Sequence, residues 1–194
     1  MKRRLNVGAG NMPLENYINE DLCYYPGTDN PLVNKKLAAT WNKDHPDSPW
    51  RYGDATKMEY PDNTFDEIIC VHTLEHVNMN DGNQMIASMA RMLKPGGFME
   101  IEVPDLMKAC ELAKDVHIIQ GENNTRWFRI MGLFNGTTGD DGEGQYHLCA
   151  YTQEYLRFRM EEHKLINIEE IEVGFGHGRP EPEYNFRLKA YKDE

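Results

Sequence analysis

The stretch Leu5-Asn-Val-Gly-Ala-Gly10 reads as a short strand that ends in two glycines separated by one residue. Glycine occupies positive-φ conformations that other residues avoid, so a G-x-G turn allows the backbone to approach a ligand closely. In open α/β sheets, ligands bind at the carboxyl ends of the strands. The stretch therefore favours a ligand site at the end of the first strand. Alone it is weak evidence, because short glycine turns after strands are common.

The residues that follow differ from the dinucleotide-binding pattern G-x-G-x-x-G. Met12 and Pro13 occupy the positions where a third glycine would open a helix. In that pattern an acidic residue follows about 20 positions further on, whereas here Asp21 comes much sooner. The helix that normally separates the first two strands is therefore expected to be missing or reduced to a turn.

Apolar periodicity predicts an alternation of strands and helices along the chain. Phe65–Val71 is a strand of the continuous apolar kind that parallel sheets cover on both faces. Asp81–Leu93 has apolar residues at helical spacing, and Pro95-Gly96-Gly97 predicts a turn that ends this helix. The other predicted strands are Arg4–Val7, Tyr17–Leu22, Trp50–Asp54, Phe98–Val103, Ile166–Val173 and Phe186–Tyr191. The other predicted helices cover 32–41, 105–118, 123–134 and a segment that begins after the N-cap residue Thr152.

This alternation predicts an α/β domain with a mostly parallel sheet. The last two strands have no helix between them, because the segment that joins them is the Gly- and Pro-rich GFGHGRPEPEYN. They are therefore expected to form an antiparallel hairpin at one side of the sheet.

Size and composition limit the class of protein. The 194 residues predict a single domain, 1–194, and 40% of them are hydrophobic, enough for a full core. The net charge of −11 makes nucleic acid an unexpected partner, because phosphate backbones attract basic surfaces. No apolar run reaches the roughly 18 residues of a membrane span, and none of the four cysteines forms a C-x-x-C pair. We expect a cytoplasmic protein with reduced thiols and no membrane partner.

Gly53-Asp54-Ala55 places an acidic residue at the end of the predicted third strand. Such a carboxylate can accept a hydrogen bond from an adenine amino group, while the following backbone N–H donates to a ring nitrogen. A turn aspartate that only caps a loop produces the same pattern. Taken by itself, the segment favours the cap.

The segments LNVGAG, INEDL, GDATKMEYPDNTFDEI, HTLEHV and RMLKPGGFMEIEVPDL follow one another in this order. In combination they resemble the class I S-adenosylmethionine (SAM)-dependent methyltransferases. The chain looks closest to a compact subgroup, similar to methyltransferase type 11 proteins, whose first glycine turn runs almost directly into the second strand. The resemblance covers nearly the whole chain. It implies a Rossmann-like α/β fold whose seven-stranded sheet has the order 3-2-1-4-5-7-6 with strand 7 antiparallel. It also implies a lid or substrate-side insertion at about residues 105–150.

The resemblance implies a binding site for SAM, which would leave as S-adenosylhomocysteine. The glycine turn would pass beneath the methionine part of SAM. The ribose hydroxyls would meet Asp21, or Glu20 or Leu22 would present that contact instead. Asp54 would bind the adenine amino group, and Ala55 would meet the ring through its backbone. The full set of implied cofactor contacts is Gly8, Ala9, Gly10, Asp21, Leu22, Asp54, Ala55, His72 and Thr73.

The string His72-Thr-Leu-Glu-His76 matches H-x-x-E-H, the pattern of inverted zinc peptidases, in which two histidines one helical turn apart bind the metal. Here the string directly follows a buried strand, so His72 ends that strand and helical geometry begins only around Leu74. The two histidines are not expected to share a metal, and we predict no metal site. The resemblance instead places Glu75 and His76 near the methyl-transfer face, where they either contact the acceptor or only hold the turn.

A second candidate segment, Gln145-Tyr-His-Leu148, follows the glycine- and acid-rich loop 136–144. In the subgroup this region looks like a lid over the substrate end of the pocket, and such loops often carry function. His147 is a candidate general base because its ordinary pKa lies near neutrality, although a histidine bonded to backbone has the same sequence signature. Tyr146 is a candidate to orient the acceptor. His147, Tyr146 and His76 are the predicted catalytic residues.

The expected reaction is in-line transfer of the methyl group from SAM to an O or N atom of a small-molecule or glycan-like acceptor. Arg126 and Arg129 would either meet an anionic acceptor or face solvent. One alternative is a SAM-binding module without catalysis. Another is a methyltransferase of the same fold that acts on protein or nucleic acid, and the negative charge and the lack of an N-P-P-Y motif argue against DNA. The zinc peptidase is the least expected alternative.

Overall fold

Strands and helices alternate in the computed structural model, which describes residues 2–10, 12–21, 35–114, 132, 134–136, 146–174 and 184–193. The strands are β1 (Arg4–Val7), β2 (Ile18–Asp21), β3 (Trp50–Tyr52), β4 (Phe65–Val71), β5 (Leu93–Pro104), β6 (Leu165–Ile171) and β7 (Asn185–Lys192). The α-helices are α1 (Lys35–Asp44), α2 (Met79–Met92), α3 (Leu106–Lys114) and α4 (Gln153–Glu162). Short 3₁₀ turns cover Ala55–Lys57 and Leu74–His76.

These strands form one seven-stranded sheet of order β3-β2-β1-β4-β5-β7-β6. The first five strands in this order pair in parallel, while β7 is antiparallel to both β5 and β6. The predicted order and the antiparallel terminal hairpin are therefore confirmed. The strand order reverses between β1 and β4, and the crevice at the carboxyl ends of these two strands is where an open α/β sheet binds its ligands.

The connection between β1 and β2 contains no helix among its described residues. The backbone N–H groups of Gly8 and Ala9 both donate to Glu20 O at 2.9 Å, which ties the glycine turn directly to β2. The prediction of a reduced connection is confirmed. As a result, the ends of β1 and β2 lie side by side at the crevice.

Helix α2 covers one face of the sheet with a row of buried residues, among them Met85, Ile86 and Met89, which are fully buried. Full burial of each such side chain contributes about 1.5–3 kcal/mol. The helix begins two residues before the predicted Asp81 because the Asn78 side chain caps it, accepting from the N–H groups of Asn80 and Asp81. Among the described residues, no helix has the length and hydropathy that crossing a membrane requires.

Strand β5 begins at Leu93 rather than at the predicted Phe98, and it contains the Pro95-Gly96-Gly97 segment. Leu93 pairs with Phe65 of β4, and Phe98 then pairs with Glu67, so the extra residues form an irregularity in the ladder. The predicted turn therefore lies within the bounds of the strand, where Gly96 has φ +72°, rather than ahead of it. The pairing of Leu93 with a distant strand decides the boundary, and local turn residues cannot reveal such a contact.

Candidate functional site

The glycine turn that follows β1 depends on positive φ angles at both of its glycines, +70° at Gly8 and +49° at Gly10. These angles explain why glycine is required at both positions. A cavity lies against the turn, and Met12, Leu14, Ile69 and Val71 form much of its apolar wall. The turn that the resemblance assigns to the methionine part of SAM therefore stands open to a cavity at the reversal of strand order.

Asp21, the residue implied at the ribose, ends β2 beside this turn. Its Oδ2 atom accepts a hydrogen bond from Gly10 N at 2.7 Å. The carboxylate thus helps to fix the glycine turn, and its contact with the ribose stays a prediction. Leu22, the alternative contact, lies outside the described residues. Glu20, the other alternative, accepts instead from Arg51 Nε at 2.9 Å and from the Tyr60 hydroxyl.

Asp54 acts as the cap of the Ala55–Lys57 turn. Its Oδ1 accepts from Thr56 N at 3.0 Å and from Thr56 Oγ1 at 2.6 Å, and Oδ2 lies 2.9 Å from Lys57 Nζ. Partial burial alone would raise the pKa of this carboxyl, but the hydrogen bonds from Thr56 and Lys57 outweigh burial and lower it. The capping role is thus present in the structure, and the adenine contact stays a prediction.

His72 ends β4 in a left-handed backbone conformation with φ +49°. Its Nδ1 lies 3.1 Å from Glu75 Oε1, and its Nε2 lies 3.3 Å from Glu102 Oε1. Burial alone would lower the pKa of this imidazole, but the two carboxylates stabilise the charged ring and raise its pKa to about 10. The ring is therefore held as a cation between two buried acids.

Asn185, the first residue of β7, completes the surroundings of His72. Its Nδ2 lies 3.3 Å from His72 Nε2, and two N–H groups cannot bond to each other. When Nε2 carries a proton, the Asn185 amide must be flipped so that its oxygen, and not Nδ2, faces the ring. The two orientations of a side-chain amide are assigned from its hydrogen bonds. Glu102 and Asn185 are not predicted from the sequence. Glu102 carried a usable signal, because an acid inside a strand that is covered on both faces requires a partner.

The two histidines of the HTLEH string contact different partners. The 3₁₀ turn begins at Leu74, as predicted. His72 faces two buried carboxylates, whereas His76 Nδ1 lies 3.2 Å from the backbone oxygen of Tyr146. The inverted peptidase pattern, which needs both rings on one helix, does not describe this geometry.

His76 instead meets His147, and their ring centroids are 5.0 Å apart in an edge-to-face arrangement with an interplanar angle of 75°. Glu75 lies beside them, and each of the three side chains offers one ligand atom within 4.8 Å of the others. The backbone joins the two segments, because Leu148 N and Cys149 N donate to Glu75 O at 2.7 and 3.2 Å. We call this group the Glu-His-His cluster: Glu75, His76 and His147.

Two of the remaining predicted positions, Tyr146 and Thr73, lie at the site. Tyr146 is 55% exposed next to the Glu-His-His cluster. Thr73 lies at the end of β4 against the glycine turn, with Oγ1 3.1 Å from Val71 O. Arg126 and Arg129, most of the predicted helix 123–134 and most of the loop 136–144 lie outside the described residues.

A family model described as a methyltransferase domain matches residues 5–101, half of the chain. Among curated proteins, an uncharacterised methyltransferase of the fission yeast Schizosaccharomyces pombe is 33% identical over 66 residues. That match spans 34% of this chain and 23% of the yeast protein.

Solved structures of similar fold cover nearly all of the chain. A protein from Pyrococcus horikoshii has a TM-score of 0.64 at 15% identity, and the alignment covers 99% of this chain and 82% of that one. Phosphoethanolamine N-methyltransferase 2 of Haemonchus contortus, solved with SAM, has a TM-score of 0.61 at 13% identity, covering 100% and 49% of the two chains. The CurJ carbon methyltransferase has a TM-score of 0.60 at 15% identity, with the same coverage.

Identities this low establish the fold, and the match to the family model establishes the family. The strand order 3-2-1-4-5-7-6 and the glycine turn at its reversal agree with both findings. The predicted resemblance, fold and SAM cofactor are confirmed at the level of the family. The chain therefore belongs to the methyltransferase-domain family.

Proposed function

We propose that the chain transfers the methyl group of SAM to an O or N atom of a small-molecule or glycan-like acceptor, which binds against His76, Tyr146 and His147. The observation that carries this proposal is the contact between His76 and His147, whose ring centroids are 5.0 Å apart. The two residues come from segments far apart in the sequence and meet beside the end of β4, next to the proposed cofactor contacts His72 and Thr73.

Methyl transfer from a sulfonium is an in-line displacement, in which the new bond to the methyl carbon forms as the bond to sulfur breaks. Much of the rate comes from holding the acceptor atom about 3 Å from the methyl carbon. A hydroxyl or ammonium acceptor must also lose a proton, and basic side chains within reach of it accelerate that loss. Neighbours of this fold include a carbon and an N-methyltransferase, so the fold leaves the acceptor atom open, and the paired imidazoles favour a heteroatom.

The proposed cofactor site follows the crevice at the reversal of strand order. The turn of Gly8, Ala9 and Gly10 lies beneath the methionine moiety, and Asp21 accepts from the ribose while it holds Gly10 N. Asp54 and Ala55 lie at the adenine end. Leu22 is part of the same proposal on the strength of the resemblance alone.

The charge of the chain, −11, supports a neutral or cationic acceptor rather than a nucleic acid. We place the reaction in the cytoplasm, where thiols stay reduced. Cys70, Cys110 and Cys149 are free cysteines, in keeping with that setting.

Two measurements, made one after the other, test the proposal. Calorimetric titration of the full chain with SAM and with S-adenosylhomocysteine should give saturable binding of both, and no binding of either at millimolar concentration would refute the proposal. An acceptor screen that detects release of S-adenosylhomocysteine should then yield turnover with hydroxyl or amine compounds. Binding without turnover on any acceptor class would favour a SAM-binding module, and turnover confined to carbon acceptors would contradict the choice of a heteroatom.

A further inference from the structure

The Glu-His-His cluster presents one carboxylate oxygen and two imidazole nitrogens within 4.8 Å of one another. Its members come from two segments that backbone hydrogen bonds already fasten together, from Leu148 N and Cys149 N to Glu75 O. His147 N also donates to Asn135 O at 3.2 Å, which fixes the second segment from its other side. The three groups are thus positioned by backbone contacts without help from a ligand.

Glu75 is the buried member, with 1% of its surface exposed. Its Oε1 pairs with His72 Nδ1 at 3.1 Å, while its Oε2 is buried without a hydrogen-bond partner. Leaving a buried acceptor unsatisfied costs about 1–3 kcal/mol, and more for a charged group. A buried carboxylate oxygen without a hydrogen-bond partner needs a physical explanation, and a bound ion would supply one. Glu75 also lines a cavity with Asp105 and Cys149.

The hydrogen bond of His76 fixes which of its nitrogens can bind an ion. Nδ1 lies 3.2 Å from Tyr146 O, and a carbonyl oxygen only accepts, so the proton of the neutral ring sits on Nδ1. The lone pair is then on Nε2. This is the arrangement of a metal-binding histidine, whose second nitrogen donates to a backbone carbonyl and so sets the tautomer and the ring orientation.

We propose that Glu75, His76 and His147 bind a divalent transition-metal ion, zinc being the first candidate, and that this ion holds the acceptor atom. Glu75 contributes Oε2 and His76 contributes Nε2. The second half of the proposal rests on the proposed function, whereas the metal site itself does not.

The donor set selects the kind of metal. Two imidazoles and one carboxylate are the protein ligands of many catalytic zinc sites, which keep a fourth position open for water or substrate. Ferrous iron is also bound by two histidines and a carboxylate, whereas magnesium prefers oxygen ligands throughout. His72 completes the arrangement as the partner of the ligand carboxylate. The HTLEH string thus contributes to a metal site through Glu75 and His76, not through the pair His72 and His76 that the peptidase pattern requires.

A cation at the open position would serve methyl transfer to a hydroxyl acceptor. With the ion bound, the two imidazoles would act as its ligands and no longer as bases. The hydroxyl oxygen would bind the ion, its proton would leave to solvent water, and the ion would stabilise the negative charge that remains. A lone pair of that oxygen then forms the bond to the methyl carbon while the bond from carbon to sulfur breaks. The products are the methyl ether and neutral S-adenosylhomocysteine, so atoms and charges balance.

The site can be tested by metal binding alone, without an acceptor. The tag-free full chain is treated with a chelator, freed of it and titrated with Zn²⁺ by calorimetry, and Co²⁺ serves in parallel as a probe with visible absorption bands. We expect one equivalent of zinc to bind. His147→Ala and Glu75→Gln should each weaken binding by ~100-fold or more, beyond the 10–100-fold that loss of an outer partner costs. His45→Ala, which removes an imidazole from the turn after α1, is the matched control and should bind zinc as the wild type does.

Absence of zinc binding by the wild type would overturn the site, and so would equal binding by His147→Ala and His45→Ala. Glu75 is buried, so its variant is compared only after circular dichroism shows a folded chain, and the part-exposed His147 carries the test if that variant unfolds. Titration of the same preparations with SAM separates the two proposals. SAM binding without zinc binding refutes the metal site alone, and zinc binding without SAM binding refutes the proposed function alone.

Discussion

Gly8 and Thr73 approach so closely that a β-carbon on Gly8 would lie 1.9 Å from Thr73 Oγ1. The threonine has little freedom to retreat, because its hydroxyl lies 3.1 Å from Val71 O and 3.4 Å from Val7 O and can donate to either. The contact joins the glycine turn after β1 to the segment after β4. The two segments that line the proposed cofactor crevice can therefore approach this closely only because residue 8 has no side chain.

Replacing Gly8 with Ala should reduce the free energy of unfolding through two separate effects. A left-handed conformation costs a residue with a β-carbon about 1–2 kcal/mol, and the steric conflict with Thr73 adds about 1–3 kcal/mol. Gly96→Ala is the control, because Gly96 has nearly the same φ, +72° against +70°, and no atom within 4 Å of the added carbon. Urea unfolding measures both losses. Equal losses in the two variants would contradict the steric contact.

Asp21→Asn should separate the two roles assigned to this carboxylate. An amide oxygen can still accept from Gly10 N, so the turn should persist and the free energy of unfolding should change little. The other ribose-facing atom would become an N–H₂ group. Loss of a charge-assisted hydrogen bond costs about 1.5–3 kcal/mol, which corresponds to roughly 10- to 100-fold weaker SAM binding by calorimetry. Asp47→Asn, at an exposed turn, is the control, and equal SAM affinity in the two variants would remove Asp21 from the ribose site.

Strand β4 could be predicted to its first and last residues, Phe65–Val71, because its apolar run is bounded by turn residues and long enough to stand out. The end of β1 at Val7 could also be predicted, because the glycine turn follows it directly. The start of β5 could not be predicted from the sequence, because Leu93 joins the sheet by pairing with Phe65 of a distant segment. The start of α2 was missed for a related reason. The capping side chain of Asn78 begins the helix at Met79, which is 47% exposed, ahead of the buried apolar residues that mark the helix face.

The sequence identifies His76 and His147 as separate candidate residues, but it does not predict that their side chains are in contact. Their contact depends on hydrogen bonds between Glu75 O and the N–H groups of Leu148 and Cys149, across a long stretch of chain. Backbone groups carry no sequence signal for such pairings. The orphaned oxygen of Glu75 is likewise visible only once the burial of each atom is known.

Tyr60 should make stability depend on pH in the alkaline range. Burial, and then the hydrogen bond to Glu20, raise the pKa of this phenol from 10.0 to about 12. The folded state keeps a proton that the unfolded state loses, so the stabilisation is complete below about pH 10 and is lost as the pH rises toward 12. Tyr60→Phe cannot titrate, and its free energy of unfolding should fall less steeply over that window.

An independent spectroscopic measurement checks the same assignment. Ultraviolet titration of tyrosinate should show a phenol whose midpoint moves toward 10 in Glu20→Gln, since that change weakens the acceptor of the Tyr60 hydrogen bond. A midpoint that does not move would leave burial as the whole cause. Identical pH slopes for the wild type and Tyr60→Phe would show that Tyr60 titrates alike in the folded and unfolded states.

His147→Ala should separate methyl transfer from cofactor binding. The His147 ring lies against His76, and the glycine turn that is proposed to hold SAM is anchored by other residues, Glu20 and Asp21. The affinity for SAM should therefore stay within about twofold of the wild type, while kcat for a hydroxyl acceptor should fall by about 10²–10⁴, the usual contribution of a group that handles the acceptor proton. Leu148→Ala is the matched control, because its side chain is 63% exposed and only its backbone N–H contacts Glu75. Unchanged turnover in His147→Ala, with turnover lost in Leu148→Ala, would mean that the exposed Leu148 side chain, and not the His147 imidazole, takes part in methyl transfer.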